Sequence, residues 1–391
     1  MVQSLNPSRI PSLDILRGMV MVLMALDHLR DMYSLYPFSP EDLTQTTPLL
    51  FFTRWVTHFC APTFVLLAGT SIFLYQQKLK DQKALSRFLL IRGLWLMVAE
   101  VLIVNPFWMF SFFWQSWGFF LQVIWVIGLG MVLMAVLIRF PAWVSLGLGL
   151  LIVCGHNLLD GVQAAEWGSW SWLFTTLHVQ GWIPLNAQGS FGIAIVYPVL
   201  PWVGVLMVGY AFGQVMLWPP AHHLRFLWVL GSFAVLCFLL LRGLNSYGNA
   251  LPWSPQEDPL YTLMSFLNVQ KYPPSLSFLL MTLGPALLLL AAFERGAGKV
   301  GNLLRIFGRV PFFFYLIHLL IPHAFSLVYF RITLGEWMDL FGGGGSWPEA
   351  YTPSLLRLYI LWPAFMILLY FPTRWYYHYK STHRHWWLKY L

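Results

Sequence analysis

Asp27, His28, Arg30 and Asp31 crowd the far end of an apolar run that begins near Ile15. Ionisable side chains at such a depth are costly unless they are paired or used. At helical spacing Asp27 and Asp31 share a face, and His28 can meet Asp31 three residues on. A carboxylate beside an imidazole fixes its tautomer and raises its basicity, which is what a general base requires. An ion-paired helix end at the water interface is the alternative use of the same residues.

Further along, His58 opens a second apolar run in Thr57-His58-Phe59-Cys60-Ala61-Pro62. A helix N-terminus disfavours imidazolium, so His58 is expected to be neutral and able to accept a proton; an interfacial histidine is the plainer reading. Glu100, in the middle of a third run, is either protonated or paired with a group from another helix. His318 lies inside a late run, in Tyr315-Leu316-Ile317-His318, with His323 further out, and packing is the commoner fate of such a histidine. Asp14 and Arg17 bracket the start of the first run, and Arg87, Arg92, Arg305 and Arg309 flank other helix ends. Membrane orientation explains most of these; several of them converging on one cavity would also suit a phosphate-rich ligand. Neither a phosphate loop nor a dinucleotide fingerprint accompanies them.

The elements that position these residues must be membrane helices. Of 391 residues, 58% are hydrophobic and only 10% charged, too few to cover a soluble protein of this size. The net charge of +8 is scattered in short clusters between apolar runs, which speaks for membrane orientation and against nucleic acid. Cys60, Cys154 and Cys237 show no paired spacing, so neither a disulfide framework nor a zinc site is implied. The first run keeps its charges at its end and lacks a cleavage pattern, so it is expected to stay attached as the first helix.

Spans of about 20 apolar residues are needed to cross the hydrocarbon. They are predicted near 15–33, 58–76, 88–109, 118–138, 142–159, 192–216, 225–243, 274–293, 310–332 and 355–373, an all-α bundle of about ten helices forming a single integral membrane domain over 1–391. With these spans, 17 of the 23 Lys and Arg fall on one side, from Arg9 and Arg17 to Lys389, which puts both termini in the cytoplasm. The outer loops, 34–57, 160–191, 244–273 and 333–354, are the longer ones. Trp167, Trp170, Trp172 and Trp182 suit an interfacial belt or a sugar-stacking platform, and Gly342–Gly345 a hinge or a plain loop. No inverted repeat of the transporter kind is visible.

Four segments carry a resemblance. They are Arg9-Ile10-Pro11-Ser12-Leu13-Asp14-Ile15-Leu16-Arg17-Gly18, and Ala61-Pro62-Thr63-Phe64-Val65-Leu66-Leu67-Ala68-Gly69-Thr70-Ser71. The third is Tyr197-Pro198-Val199-Leu200-Pro201-Trp202-Val203-Gly204 with Gly209 and Gly213 beyond, and the fourth Phe307-Gly308-Arg309-Val310-Pro311 running into Tyr315 and His318. The pattern, strongest in 9–75, 197–213 and 307–318, resembles the heparan-α-glucosaminide N-acetyltransferase-like family of transmembrane acyltransferases, in particular its bacterial members.

The resemblance implies acyl transfer across a membrane: acetyl-CoA enters from the cytoplasm, and an acceptor on the far side, a glucosamine amine in the animal enzyme, receives the acetyl group. In that family a His in the outer loop after the first helix is the supposed base, with an Asn at the end of that helix. Here His28 takes the Asn position and the loop from Met32 to Thr57 holds no His. The base is therefore expected to be His28 or His58, oriented by Asp27 or Asp31. Arg17, Arg92 and Arg309, with Asp14 beside them, are expected to hold the phosphates of acetyl-CoA or another acyl-CoA, with no metal. The expected partners are the bilayer of a bacterial inner membrane, acyl-CoA and an extracytoplasmic glycan or small molecule; a homodimer is compatible with this. Two rival readings stand beside it: a proton-coupled transporter or permease using Asp27, Glu100 and His318, and a non-catalytic membrane scaffold.

Overall fold

Each predicted span contains a helix, and the helices are joined by close glycine contacts. The computed structural model describes residues 10–111, 117–341 and 347–391. Arg9 and the Gly342–Gly345 run lie outside the described residues. In chain order the long helices are α1 (Pro11–Tyr33), α3 (Cys60–Leu79), α4 (Gln82–Ala99), α6 (Val123–Leu137), α7 (Ala142–Gly155), α9 (Val199–Phe212), α10 (Pro220–Leu244), α12 (Leu276–Glu294), α14 (Pro311–Leu334) and α15 (Leu355–Thr382). Shorter helices join them: α2 (Pro48–Trp55), α5 (Asn105–Met109), α8 (Ser171–Leu177), α11 (Pro259–Leu267) and α13 (Gly298–Arg309).

Eight of the helical runs are long and apolar enough to cross a bilayer. α6 is apolar but short. α1 is long enough but carries Asp14, Arg17, Asp27, Arg30 and Asp31. It lies within the bundle, packed against α3, α12, α13, α14 and α15, which shields those charges from lipid.

Three differences from the sequence reading matter. The second span does not open at His58: a helical run continues from Pro48 through a 3-10 turn at Val56–Phe59 to Leu79. Pro62 has no N–H to give the His58 carbonyl, so a tighter turn fits at the junction. The stretches 118–121 and 192–195, read as helix, are strands β1 (Gly118–Leu121) and β3 (Gly192–Ile195). With β2 (Gly181–Pro184) they form a small sheet of order β1-β3-β2, parallel between β1 and β3 and antiparallel between β3 and β2. A short apolar run does not by itself distinguish strand from helix. The third span passes through a π turn at Glu100–Val104 before α5.

The four motifs lie in pairs. A Cβ on Gly18 would stand 1.8 Å from the Leu304 carbonyl oxygen, and one on Gly308 1.8 Å from that of Asp14. Likewise a Cβ on Gly69 would meet the Leu206 oxygen at 2.0 Å, and one on Gly209 the Leu66 oxygen at 2.2 Å. The first motif is thus clamped to the fourth through α1 and α13, and the second to the third through α3 and α9. Between membrane helices, where lipid is as apolar as leucine, such close backbone approach is a main source of association.

The bundle has two chemically distinct ends. At one, the start of α1 meets the end of α13 and α15, with Arg309 reaching both Asp14 and Tyr377. The turns carrying Lys78–Arg87 and Arg139 are at this end too, since Gln82 bonds the Ile138 carbonyl and Phe88 lies beside Tyr390. The positive-inside rule makes it the cytoplasmic end. At the other, the outer loops knit together: Asn268 donates to the Glu41 carbonyl, Tyr261 to that of Thr46, and Tyr351 to that of Leu35. Trp167, Trp170, Trp172 and Trp182 stay exposed there.

Candidate active site

At the outer end of α1 three carboxylates and two guanidiniums form a continuous chain. Asp31 lies 2.7 Å from Arg30, Arg30 lies 3.1 Å from Asp27, and Asp27 contacts Arg54. Arg54 then reaches Glu41 at 3.3 Å, and the same Glu41 oxygen lies 2.8 Å from His58 Nε2. Lys271 lies close by and balances the third carboxylate. Opposite charges in equal number are what allow such a cluster to be buried. Burial alone would raise the Glu41 carboxyl, but the Arg54 guanidinium, the His58 hydrogen bond and Lys271 hold it well below the usual carboxylate range.

This network changes the expected partners of both histidines. His58 sits inside a continuous helical run and has Glu41 rather than a helix N-terminus beside it. Asp31, expected to orient His28, is taken by Arg30, and His28 bonds to His318 instead: His28 Nδ1 lies 2.7 Å from His318 Nε2. The two rings stack with centroids 4.9 Å apart, and the Trp108 edge meets His28 from another side.

Hydrogen-bond logic assigns the protons of this pair. His318 Nδ1 lies 3.1 Å from the Phe314 carbonyl, which can only accept, so Nδ1 carries the hydrogen. Neutral His318 then has a lone pair on Nε2, and the hydrogen between the rings must sit on His28 Nδ1. That leaves the lone pair of neutral His28 on Nε2, which makes no hydrogen bond among the described residues. His28 is only partly buried and lines a small cavity of about 40 Å³ with Asp27, Thr57, Gln122, Tyr197, Lys271 and Tyr315. An imidazole held in this tautomer beside a cavity with polar lining has a nitrogen free to take a proton.

Glu100 is paired with the start of another helix. Its Oε2 accepts from the Trp125 backbone N–H at 3.1 Å, and the N–H groups of Gln122 and Ile124 also face it. It thereby caps α6, whose own N-cap residue supplies no side-chain bond. Asn105 completes the corner, giving its amide hydrogens to the carbonyls of Glu100 and Phe120 and accepting from the Phe120 N–H. His323 gives Nδ1–H to the Phe107 carbonyl and faces Asp339 at 3.1 Å.

At the cytoplasmic end Asp14 joins two of the expected cofactor residues. Arg17 Nη1 lies 3.1 Å from one Asp14 oxygen, and Arg309 Nε 3.3 Å from the other. Arg17 also donates to the Gly308 carbonyl and to Ser71. Arg92, on α4, lies at this end too, with Tyr390 and Tyr376 among its neighbours. Arg17 and Arg309 therefore come together through Asp14.

A family model described as heparan-alpha-glucosaminide N-acetyltransferase, catalytic, matches residues 9–247, more than half of the chain. The chain belongs to that family. No curated protein matches it. Membership and the apolar helices make it an integral membrane protein of an acetyltransferase-like family. The matched stretch holds three of the four motifs together with Asp27, His28 and His58; Arg309 and His318 lie beyond it.

Glu41, Lys271, Arg54 and Tyr197 had not been singled out as site residues by the sequence. For Tyr197 a signal existed, since it opens the third motif. For Glu41 and Lys271, in outer loops, nothing local marked them.

Proposed function

We propose that this heparan-α-glucosaminide N-acetyltransferase family member moves an acyl group, acetyl in the simplest case, from cytoplasmic acyl-CoA to an amine or hydroxyl acceptor at its outer end. The observation that supports this best is the His318–His28 pair, which leaves Nε2 of His28, a residue lining the polar cavity, unprotonated. As the acceptor attacks the thioester carbonyl, its proton goes to Nε2, a C–N or C–O bond forms and the C–S bond breaks. The departing thiolate takes the proton back from the imidazolium. Asp27, in the same cavity, stabilises that imidazolium, and the Lys271 ammonium is placed to offset charge developing on the carbonyl oxygen. Asp31 acts on Arg30 and so positions Asp27. His58, tied to Glu41, supports the wall of the site.

In this reading Arg17 and Arg309 offer guanidinium groups to the CoA phosphates while Asp14 fixes their direction, and Arg92 meets the nucleotide from a separate helix. The membrane is the inner membrane of a bacterium and the acceptor a glycan or small molecule. A transport pathway through Asp27, Glu100 and His318 has less support, because Oε2 of Glu100 is engaged by the N–H groups at the start of α6.

Incubation of the purified protein with labelled acetyl-CoA and a panel of amino sugars tests the proposal. Label in the acceptor fraction that depends on folded protein supports it. Absence of both CoA binding and label transfer by a folded preparation contradicts it.

A further inference from the structure

Away from this site, the outer end of α7 carries a second group of side chains whose chemistry has no use in acyl transfer. His156 and Asp160 lie one helical turn apart, and His178 closes the end of α8. One ligand atom from each lies within 4.8 Å of the others. His156 and His178 are buried, at 2% and 1% exposure, while Asp160 is partly open to the outside.

Two observations point to a missing occupant. Among the described residues no ring nitrogen of His156 or His178 makes an aligned hydrogen bond, although the Pro274 carbonyl and Asp160 lie close, and nitrogens left so are expensive to bury. His178 Nε2 approaches Asp160 Oδ1 to 3.3 Å without hydrogen-bond alignment, as if both aimed at a common point. Two ligands each about 2.0–2.1 Å from a tetrahedral ion stand roughly 3.3 Å apart.

Outer contacts hold the group in place. Asn157 gives its amide hydrogen to Asp160 Oδ2 at 2.8 Å and accepts from the Leu276 N–H at 2.9 Å, leaving Oδ1 toward the histidines. The Pro274 carbonyl faces His156, the direction in which a ligating imidazole usually gives its other N–H.

We propose that His156, Asp160 and His178 form a three-ligand site for a divalent transition-metal ion of the zinc class, with its remaining position open outward. Two imidazoles and one carboxylate suit such an ion; calcium and magnesium require oxygen ligands. The ion ties the end of α7 to the end of α8 on the outer face, independently of acyl transfer.

The test uses the full chain, stripped with a chelator in detergent, with His378→Asn, His383→Asn and His385→Asn introduced to silence the exposed C-terminal histidines. Titration with Zn²⁺ alone should show one equivalent bound and a raised Tm. His156→Ala and His178→Ala should abolish both, and Asp160→Asn should weaken binding on the order of tenfold or more. No binding at micromolar Zn²⁺, or binding unchanged in His178→Ala, overturns the proposal. Should the histidine variants fail to fold, undiminished Zn²⁺ affinity in Asp160→Asn overturns it equally.

Discussion

His318 hands its Nδ1 hydrogen to the Phe314 carbonyl and so accepts, through Nε2 at 2.7 Å, the hydrogen on His28 Nδ1. The proton state of the candidate base is therefore set from a helix 290 residues away in sequence. Removing the acceptor should free the His28 ring to turn and change tautomer. His318→Phe is predicted to lower acyl transfer on the order of a hundredfold, toward the lower end of what general bases contribute. His318→Gln keeps an acceptor for Nδ1–H and should recover part of the rate. CoA affinity should be unchanged in both, and steady-state kinetics beside calorimetry check it; equal losses in Phe and Gln variants would show His318 to be a packing residue.

Glu41 links Arg54 to His58 and is held below the ordinary carboxylate range by both. A depressed folded pKa adds stability above the unfolded value, near 4.3, and that stability is lost as pH falls through the folded value. The Tm of the purified protein should therefore fall as pH is lowered below about 4.3. Glu41→Gln should be less stable than wild type at pH 7 and show a shallower acid decline. Parallel acid branches in the two proteins would contradict the pairing.

Gly308 and Gly18 let α1 and α13 touch backbone to backbone. Gly308→Ala puts a methyl 1.8 Å from the Asp14 carbonyl oxygen, so the helices must part. A loss of at least about 1–3 kcal/mol is expected, as for other overpacked cores. Gly147→Ala, with nothing within 4 Å, should be neutral. Thermal unfolding of the two variants side by side measures the difference.

Glu100→Gln keeps an acceptor for the α6 N-terminus and should leave folding and acyl transfer near wild type. Glu100→Leu removes it, leaving buried N–H groups without their acceptor, and should destabilise by about 1–3 kcal/mol. Activity abolished by the Gln change, with folding intact, would restore Glu100 as a proton-carrying group.

Much of this architecture was legible because hydrocarbon demands long apolar segments, and all ten predicted spans contain helix. The motif glycines at 18, 69, 209 and 308 were visible in sequence, but not that they close on one another in two pairs. Partners were legible only within a helical turn. Asp31 and His28 satisfy the spacing rule, yet Arg30 is closer to Asp31, and His318 arrives from α14. The strands at Gly118–Leu121 and Gly192–Ile195 were hidden inside apolar runs. Glu41 and Lys271 sit in loops without periodicity, so only the folded chain brings them to Arg54 and Asp27.

The central claim is that His28 Nε2 removes the acceptor proton. Transfer of labelled acetyl from acetyl-CoA to a working acceptor, measured for wild type, His28→Ala and His58→Ala in the same membrane preparation, tests it most directly. His28→Ala should lose on the order of a hundred- to ten-thousand-fold in rate while binding CoA normally, and His58→Ala should lose less. Near-normal transfer by folded His28→Ala would contradict the account and leave the cluster as an ion-paired helix end.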